Sequence, residues 1–475
     1  MVFSSIIFLI YFFPLLFTAY RLSPVRFRNW ILLFASLIFY AWGAPRFIYL
    51  LLPLTAIDFF IVGKMYRLPA GPAKRRWLAF SILINMGILA YFKYANFFIE
   101  NVNALLHAVG VHQVAWTQVA LPIGISFFCF ETLTYSIDAY RGVIRPLERL
   151  RDYYLYIFLF PKLIAGPIVR FNLIEHQMQA KDRMASNDDI LLGFWRFMLG
   201  LGKKILIANV MAEKADLYLG GDLSLLNSTT AWIGIIAYTF QIYFDFSGYS
   251  DMALGMARML GFRLPENFDN PYTSRSISEF WRRWHMTLGA WMKEYLYVPL
   301  GGNKVDSRLR LYFNLWVVFL ISGLWHGASW NFVIWGAFHG VFLILDRLFL
   351  LRVLDRIGPL FATVFTFLVV MVGWVFFRME TFDQALTVLR TMIRPDFEVF
   401  PIYENREFLI MLFFATLFSF LFAFRKGKKL QELVYYTVYS PRTGLVVTLI
   451  SVLLFIVCVG RITSSGFNPF IYYRF

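Results

Sequence analysis

Residues 311–345 run for 35 positions without an Asp, Glu, Lys or Arg. As one straight helix they would extend about 52 Å, against a bilayer hydrocarbon core of about 30 Å. The run is therefore expected to break. The natural place is Ser322-Gly323-Leu324-Trp325-His326-Gly327-Ala328-Ser329, where two glycines flank a histidine. Non-helical backbone at membrane depth is tolerated only where it is buried in protein or lines a wet cavity. His326 is thus expected at a helix interruption beside an internal cavity. An ionisable residue in that setting is a functional candidate by default. The alternative is a histidine that hydrogen-bonds across packed helices.

Apolar runs recur at 4–20, 30–42, 47–63, 77–98, 116–138, 153–170, 190–211, 230–260, 358–377, 407–424 and 443–460. Only 16% of the residues are charged, against about 25% in soluble domains, which excludes an ordinary soluble protein. The expectation is an all-α polytopic membrane protein, with about 11–13 transmembrane or re-entrant helices around a central cavity. No linker, low-complexity tract or repeat interrupts residues 1–475, so one integral membrane domain is expected. Whatever chemistry exists must then be done by the membrane body and its loops.

Loop charge orients the first spans. Arg21, Arg26 and Arg28 follow the first run, Lys64, Arg67, Lys74, Arg75 and Arg76 the third, and Arg141, Arg145, Arg149 and Arg151 the fifth. These loops, with Arg425, Lys426, Lys428 and Lys429, are expected in the cytoplasm, while 99–115 has no Lys or Arg and Arg46 stands alone on the other side. Residues 1–20 also lack Lys and Arg, so the positive start of a cleavable leader is missing and an uncleaved first span is expected. The net charge of +16 is spread over such loops. That suits anionic lipid and a phosphate-bearing cosubstrate better than nucleic acid. Cys129 and Cys458 lie inside apolar runs and offer neither a disulfide framework nor zinc spacing.

A second constellation is Ser276-Ile277-Ser278-Glu279-Phe280-Trp281-Arg282-Arg283-Trp284-His285. Ser276 and Glu279 fit a capping box at a helix start, and Pro299 with Gly301-Gly302 marks an end. Along one helix, Trp281, Trp284, Leu288, Met292 and Tyr295 form an apolar stripe, and Arg282, His285, Gly289 and Lys293 a neighbouring one. So charged a helix is expected to be interfacial or re-entrant. Arg282, Arg283 and Lys293 are either snorkelling anchors or the lining of a phosphate-accepting mouth. Two further segments carry polar residues at depth: Asp245-Phe246-Ser247-Gly248-Tyr249-Ser250-Asp251, and Phe160-Pro161-Lys162 leading to Gly166-Pro167. His339 lies 13 residues beyond His326. At about 100° per residue one straight helix would not bring both into one site, so His339 is read as a packing residue. His107, His112 and His176 fall in loops without metal-ligand spacing.

The Trp-Arg-Arg-Trp-His element ending at His285, the Trp325-His326-Gly327 element and the multi-span setting together resemble the membrane-bound O-acyltransferase family. The resemblance extends to its bacterial branch that acetylates polysaccharides such as alginate. It is carried by Tyr91-Phe92-Lys93-Tyr94-Ala95-Asn96, Leu121-Pro122-Ile123-Gly124, Leu163-Ile164-Ala165-Gly166-Pro167, Asp245 to Asp251, Glu266-Asn267-Phe268, Gly301-Gly302-Asn303 and Gly373-Trp374-Val375-Phe376-Phe377-Arg378. It implies an O-acetyltransferase of the bacterial inner membrane, using cytoplasmic acetyl-CoA as cosubstrate with no bound cofactor or metal. It implies a periplasmic partner, often a serine-hydrolase-like (SGNH-type) acetyltransferase, that passes the group to a polysaccharide. The family's essential histidine maps onto His326 and its second motif histidine onto His285. A neutral imidazole suits removal of a hydroxyl proton. The competing readings are a transporter of polymer or lipid-linked sugar, which broken helices and buried carboxylates also suit, and a teichoic-acid D-alanyl transferase of the same family.

Overall fold

The computed structural model describes residues 1–179, 181, 183–396 and 405–469. Its regular structure is helical, with no strand among the described residues. Seven helices there are long and apolar enough to cross a membrane. The protein is a polytopic all-α membrane protein. Its contacts fall into two compact units, Met1–Ile190 with Met256–Pro265, and Leu191–Gly255 with Glu266–Phe475.

The first unit contains α1 (Phe13–Leu22), α2 (Val25–Gly43), α3 (Ile48–Arg67), α4 (Pro72–Leu89), α5 (Ala95–Ala108), α6 (Ile125–Arg141) and α7 (Leu150–Phe158). Two expected spans differ. The run at 116–138 becomes helical only at Ile125, after Pro122 and a left-handed Gly124 at φ 78°. Pro122 disfavours a helical residue before it, and Gly124 supplies a conformation that costs other residues about 1–2 kcal/mol. The run at 153–170 ends its helix at Phe158, and a single turn, Phe160–Leu163, follows. There Lys162 and Glu131 form an ion pair sealed from solvent.

Asp58 of α3 gathers this unit. It accepts hydrogen bonds from the hydroxyls of Ser81 (2.7 Å), Tyr153 (2.6 Å) and Ser136 (3.3 Å) and from the Asn85 amide (3.4 Å). Three helices, α4, α6 and α7, thus spend polar side chains on one buried carboxyl of a fourth. Asp58→Leu should orphan these donors at about 1–3 kcal/mol for each one left unmatched. Asp58→Asn keeps an acceptor and should lose much less. Thermal unfolding in detergent reads the difference, and equal melting points for the two variants would refute a hydrogen-bonding hub.

In the second unit, α8 (Asn187–Gly202) runs through a wide turn, Lys203–Ala208, into α9 (Asn209–Leu219). The 32-residue α10 (Ser228–Met259) carries Asp245, Ser250 and Asp251. Lys204 pairs with Asp245 at 2.9 Å, and Asp251 binds Lys203 (2.6 Å) and Arg196 (2.9 Å). The carboxylates seen in the sequence at depth are thus neutralised by cations of α8 and the wide turn. Next come α11 (Ile277–Arg283), α12 (Met286–Met292), α13 (Arg308–His326), α14 (Trp330–Leu345) and α15 (Pro359–Arg378).

The charge-free run breaks where expected, between α13 and α14. The two helices fold back on each other at very close range. A Cβ on Gly323 would fall on the Phe332 carbonyl, and one on Gly336 on the Phe319 carbonyl. Small residues let helix backbones approach this closely.

Candidate active site

His326 is the last residue of α13, and Gly327 continues in extended backbone. Gly327 has no room for a side chain, because the Phe332 ring occupies that space. The imidazole is 7% exposed. Its ring centre lies 4.9 Å from Trp325, 5.2 Å from Trp335 and 5.3 Å from Phe377. The expected placement at a helix interruption holds, but the cavity described below is lined by His285 and Ser322 and not by His326.

The second element departs from the expected single helix. Ser276 does cap α11, its hydroxyl accepting the Glu279 N–H at 3.1 Å. The helix then stops after Arg283, and His285 adopts a left-handed conformation at φ 46° before α12 begins. A branched or bulky side chain in that region costs about 1–2 kcal/mol, and such strain persists only where surroundings over-determine it. Residues 267–269 supply those surroundings. The Met286 N–H donates to the Asn267 carbonyl at 2.9 Å, and the Asp269 N–H to the Arg283 carbonyl at 2.9 Å. Glu266, the neighbour of Asn267, is clamped by Arg196. Periodicity could not reveal this break, because the energy that holds it comes from a distant segment.

His285 is 1% exposed, and its ring centre lies 6.2 Å from that of Trp325. Trp325 therefore touches both motif histidines. His285 lines a cavity of about 410 Å³ together with Arg282, Gly289, Lys293 and Ser322, the last one turn before His326. Arg282 and Lys293 are exposed, so the cavity has cations at its rim and an imidazole in its wall. The stripe read from the sequence converges on one cavity although the helix carrying it is broken. Arg283 does not line the cavity. Its guanidinium pairs with Glu279 at 2.6 Å and donates to the Thr273 hydroxyl at 2.9 Å.

His339 stands nearer this chemistry than a straight helix would put it. Because the run folds back, Trp335 lies 5.2 Å from His326 as well as 5.1 Å from His339. His339 is fully buried, with Trp281 and Phe338 as further ring neighbours. Its packing against Gly373 leaves no space for a methyl group there. Asn267 and Trp335 are the site residues that sequence reasoning missed. Asn267 was visible only inside the Glu266-Asn267-Phe268 motif, and nothing local ties it to His285.

Buried imidazoles at helix interruptions, in a chain of long apolar helices, belong to a polytopic membrane protein. The chain belongs to the membrane-bound O-acyltransferase family, MBOAT, which it matches over residues 77–379. It is 44% identical over 399 residues to "Probable alginate O-acetylase AlgI" of Azotobacter vinelandii, covering 82% of this chain and 78% of that one. A protein of the same description from Pseudomonas putida is 39% identical over 496 residues, covering 100% of both chains. "Peptidoglycan O-acetyltransferase" of Helicobacter pylori is 37% identical over 405 residues, 79% of this chain and 75% of that one. The protein is accordingly an acyltransferase, which removes the transporter reading.

Proposed function

We propose that the chain takes acetyl groups from cytoplasmic acetyl-CoA and delivers them across the bacterial inner membrane toward alginate or a similar polysaccharide. Delivery runs through a periplasmic SGNH-type acetyltransferase. The observation that carries this reading is the pair of histidines, His285 and His326, joined through Trp325, with His285 in the wall of a cation-rimmed cavity. The similarity to alginate O-acetylases over most of the chain supports the acetyl group and the polymer.

In this reading the pantetheine arm of acetyl-CoA enters the cavity, while the phosphates stay at the mouth with Arg282 and Lys293. Charge-assisted contacts of this kind are worth about 1.5–3 kcal/mol each. His326 removes the proton of the accepting hydroxyl. The hydroxyl oxygen bonds to the thioester carbonyl carbon, the C–S bond breaks, and the departing thiolate takes up the proton. One ester and one free thiol result, and the imidazole returns to its neutral form.

The test is thiol release and label transfer from radiolabelled acetyl-CoA by the purified full chain, supplied with its partner and polysaccharide. No donor cleavage beyond that of a boiled sample would refute the reading. Arg282→Gln with Lys293→Gln should raise the apparent KM for acetyl-CoA at least about 10-fold, from the lost ionic contacts. Arg283→Gln, which disturbs an arginine turned away from the cavity, should leave that KM within about twofold. An unchanged KM in the double variant would make Arg282 and Lys293 anchors only.

A further inference from the structure

The hydrogen bonds around His285 decide which of its nitrogens carries the proton. Asn267 Oδ1 lies 2.9 Å from His285 Nδ1. The same oxygen accepts the Thr287 hydroxyl at 2.9 Å and faces the Thr287 N–H at 3.4 Å. The amide nitrogen of Asn267 donates to the Ser250 hydroxyl at 3.2 Å. Flipping the amide would turn its NH2 toward the Thr287 N–H and set donor against donor. The Asn267 orientation is therefore fixed by its own partners, and the atom facing His285 is an acceptor. A neutral imidazole must then place its proton on Nδ1. Nε2 is left with a lone pair, and this buried atom has no hydrogen-bond partner among the described residues.

We infer that Asn267 is a positioning residue that locks His285 in the Nδ1-protonated tautomer, so that Nε2 offers the cavity a hydrogen-bond acceptor and never a donor. Resting on the donor site proposed above, the ligand group that meets Nε2 is an N–H of the acyl donor's pantetheine arm, which has amide donors and passes Arg282 and Lys293 on the way in. This excludes neutral His285 from stabilising an oxyanion, because it has no N–H to give on that side. It also gives a reason for the polar face of α10: Ser250 holds the Asn267 amide, while Asp251 and Glu266 share Arg196 and fix the segment that carries Asn267. The strain at His285 acquires a purpose as well, since the left-handed turn holds a residue that lines the cavity against Asn267.

The direct test is nitrogen NMR of the full chain in detergent, labelled with 15N-histidine, with His285 assigned by its disappearance in His285→Gln. The expected spectrum shows a protonated Nδ1 and a bare Nε2, and a protonated Nε2 in the native protein would overturn the inference. Asn267→Leu removes the acceptor and should abolish the tautomer preference. It should also weaken acetyl-CoA binding, read by calorimetry, about 10- to 100-fold, the range for a mismatched buried hydrogen bond. Asn267→Asp keeps an acceptor toward Nδ1, and the Ser250 hydroxyl can rotate to donate to it. This variant should keep the tautomer and bind within about 10-fold of the native protein. Loss of binding in both variants with the tautomer unchanged would reduce Asn267 to a structural brace. Failure of the native protein to bind acetyl-CoA, with Nδ1 still protonated, would sink the donor site and leave the tautomer assignment standing.

Discussion

His326→Ala should abolish acyl transfer, with a loss of at least about 10²–10⁴-fold, the contribution typical of a positioned general base. The ring also fills space among Trp325, Trp335 and Phe377, so alanine alone would confuse chemistry with packing. His326→Gln preserves most of the volume and a polar end but lacks a basic nitrogen. Both variants should be inactive, whereas the glutamine protein should keep the native melting point in detergent. Full activity in either variant would remove His326 from the reaction. Activity that tracks the melting point across the two would make the histidine a packing residue.

The second large effect concerns the support of the site. Lys204 and Asp245 are 3% and 2% exposed and lie 2.9 Å apart. Lys204 also donates to the Pro469 carbonyl. Removing one member strands the other charge away from water, which costs about 3–5 kcal/mol, while replacing both by apolar residues is often neutral. Asp245→Leu should therefore lower the melting point strongly, and Lys204→Met with Asp245→Leu should recover most of the loss. A double variant no more stable than Asp245→Leu would show that the two residues are not coupled. Asp245 stands on the same helix as Ser250 and Asp251, so the single variant should also depress activity by loosening the segment that holds Asn267.

Two kinds of information were readable from residue order. Length against bilayer thickness placed a break in 311–345, and the break lies at Gly327-Ala328-Ser329 between α13 and α14. Local pairing chemistry placed the cap at Ser276. Both rest on forces acting within a few residues, or on one dimension of the solvent. The second motif illustrates the opposite case. Helical periodicity assigned Arg282, His285 and Lys293 to one face, and they do line one cavity. Yet the helix between them is interrupted, because contacts from residues 267–269 offset the cost of a left-handed histidine. Arg283 shows the limit of composition: its charge suited a phosphate, but Glu279, one turn away, takes it.

By itself the sequence determined that this is a multi-span helical membrane enzyme with His326 at a helix break. Apolar run length and the cost of unpaired backbone in hydrocarbon leave few alternatives. Its motifs also marked the acyltransferase family, which the relatives bear out. Only the tertiary structure decided what surrounds each imidazole. It set Trp325 against both motif histidines, put His326 and His339 against the same Trp335 ring, and paired Arg283 with Glu279. It also gave His285 its partner in Asn267, 18 residues earlier in the chain. The physical reason is range. Helix formation and membrane insertion are governed by neighbours along the chain and by the solvent. The protonation and direction of a buried ring are governed by whichever polar atom folding brings within about 3 Å of it.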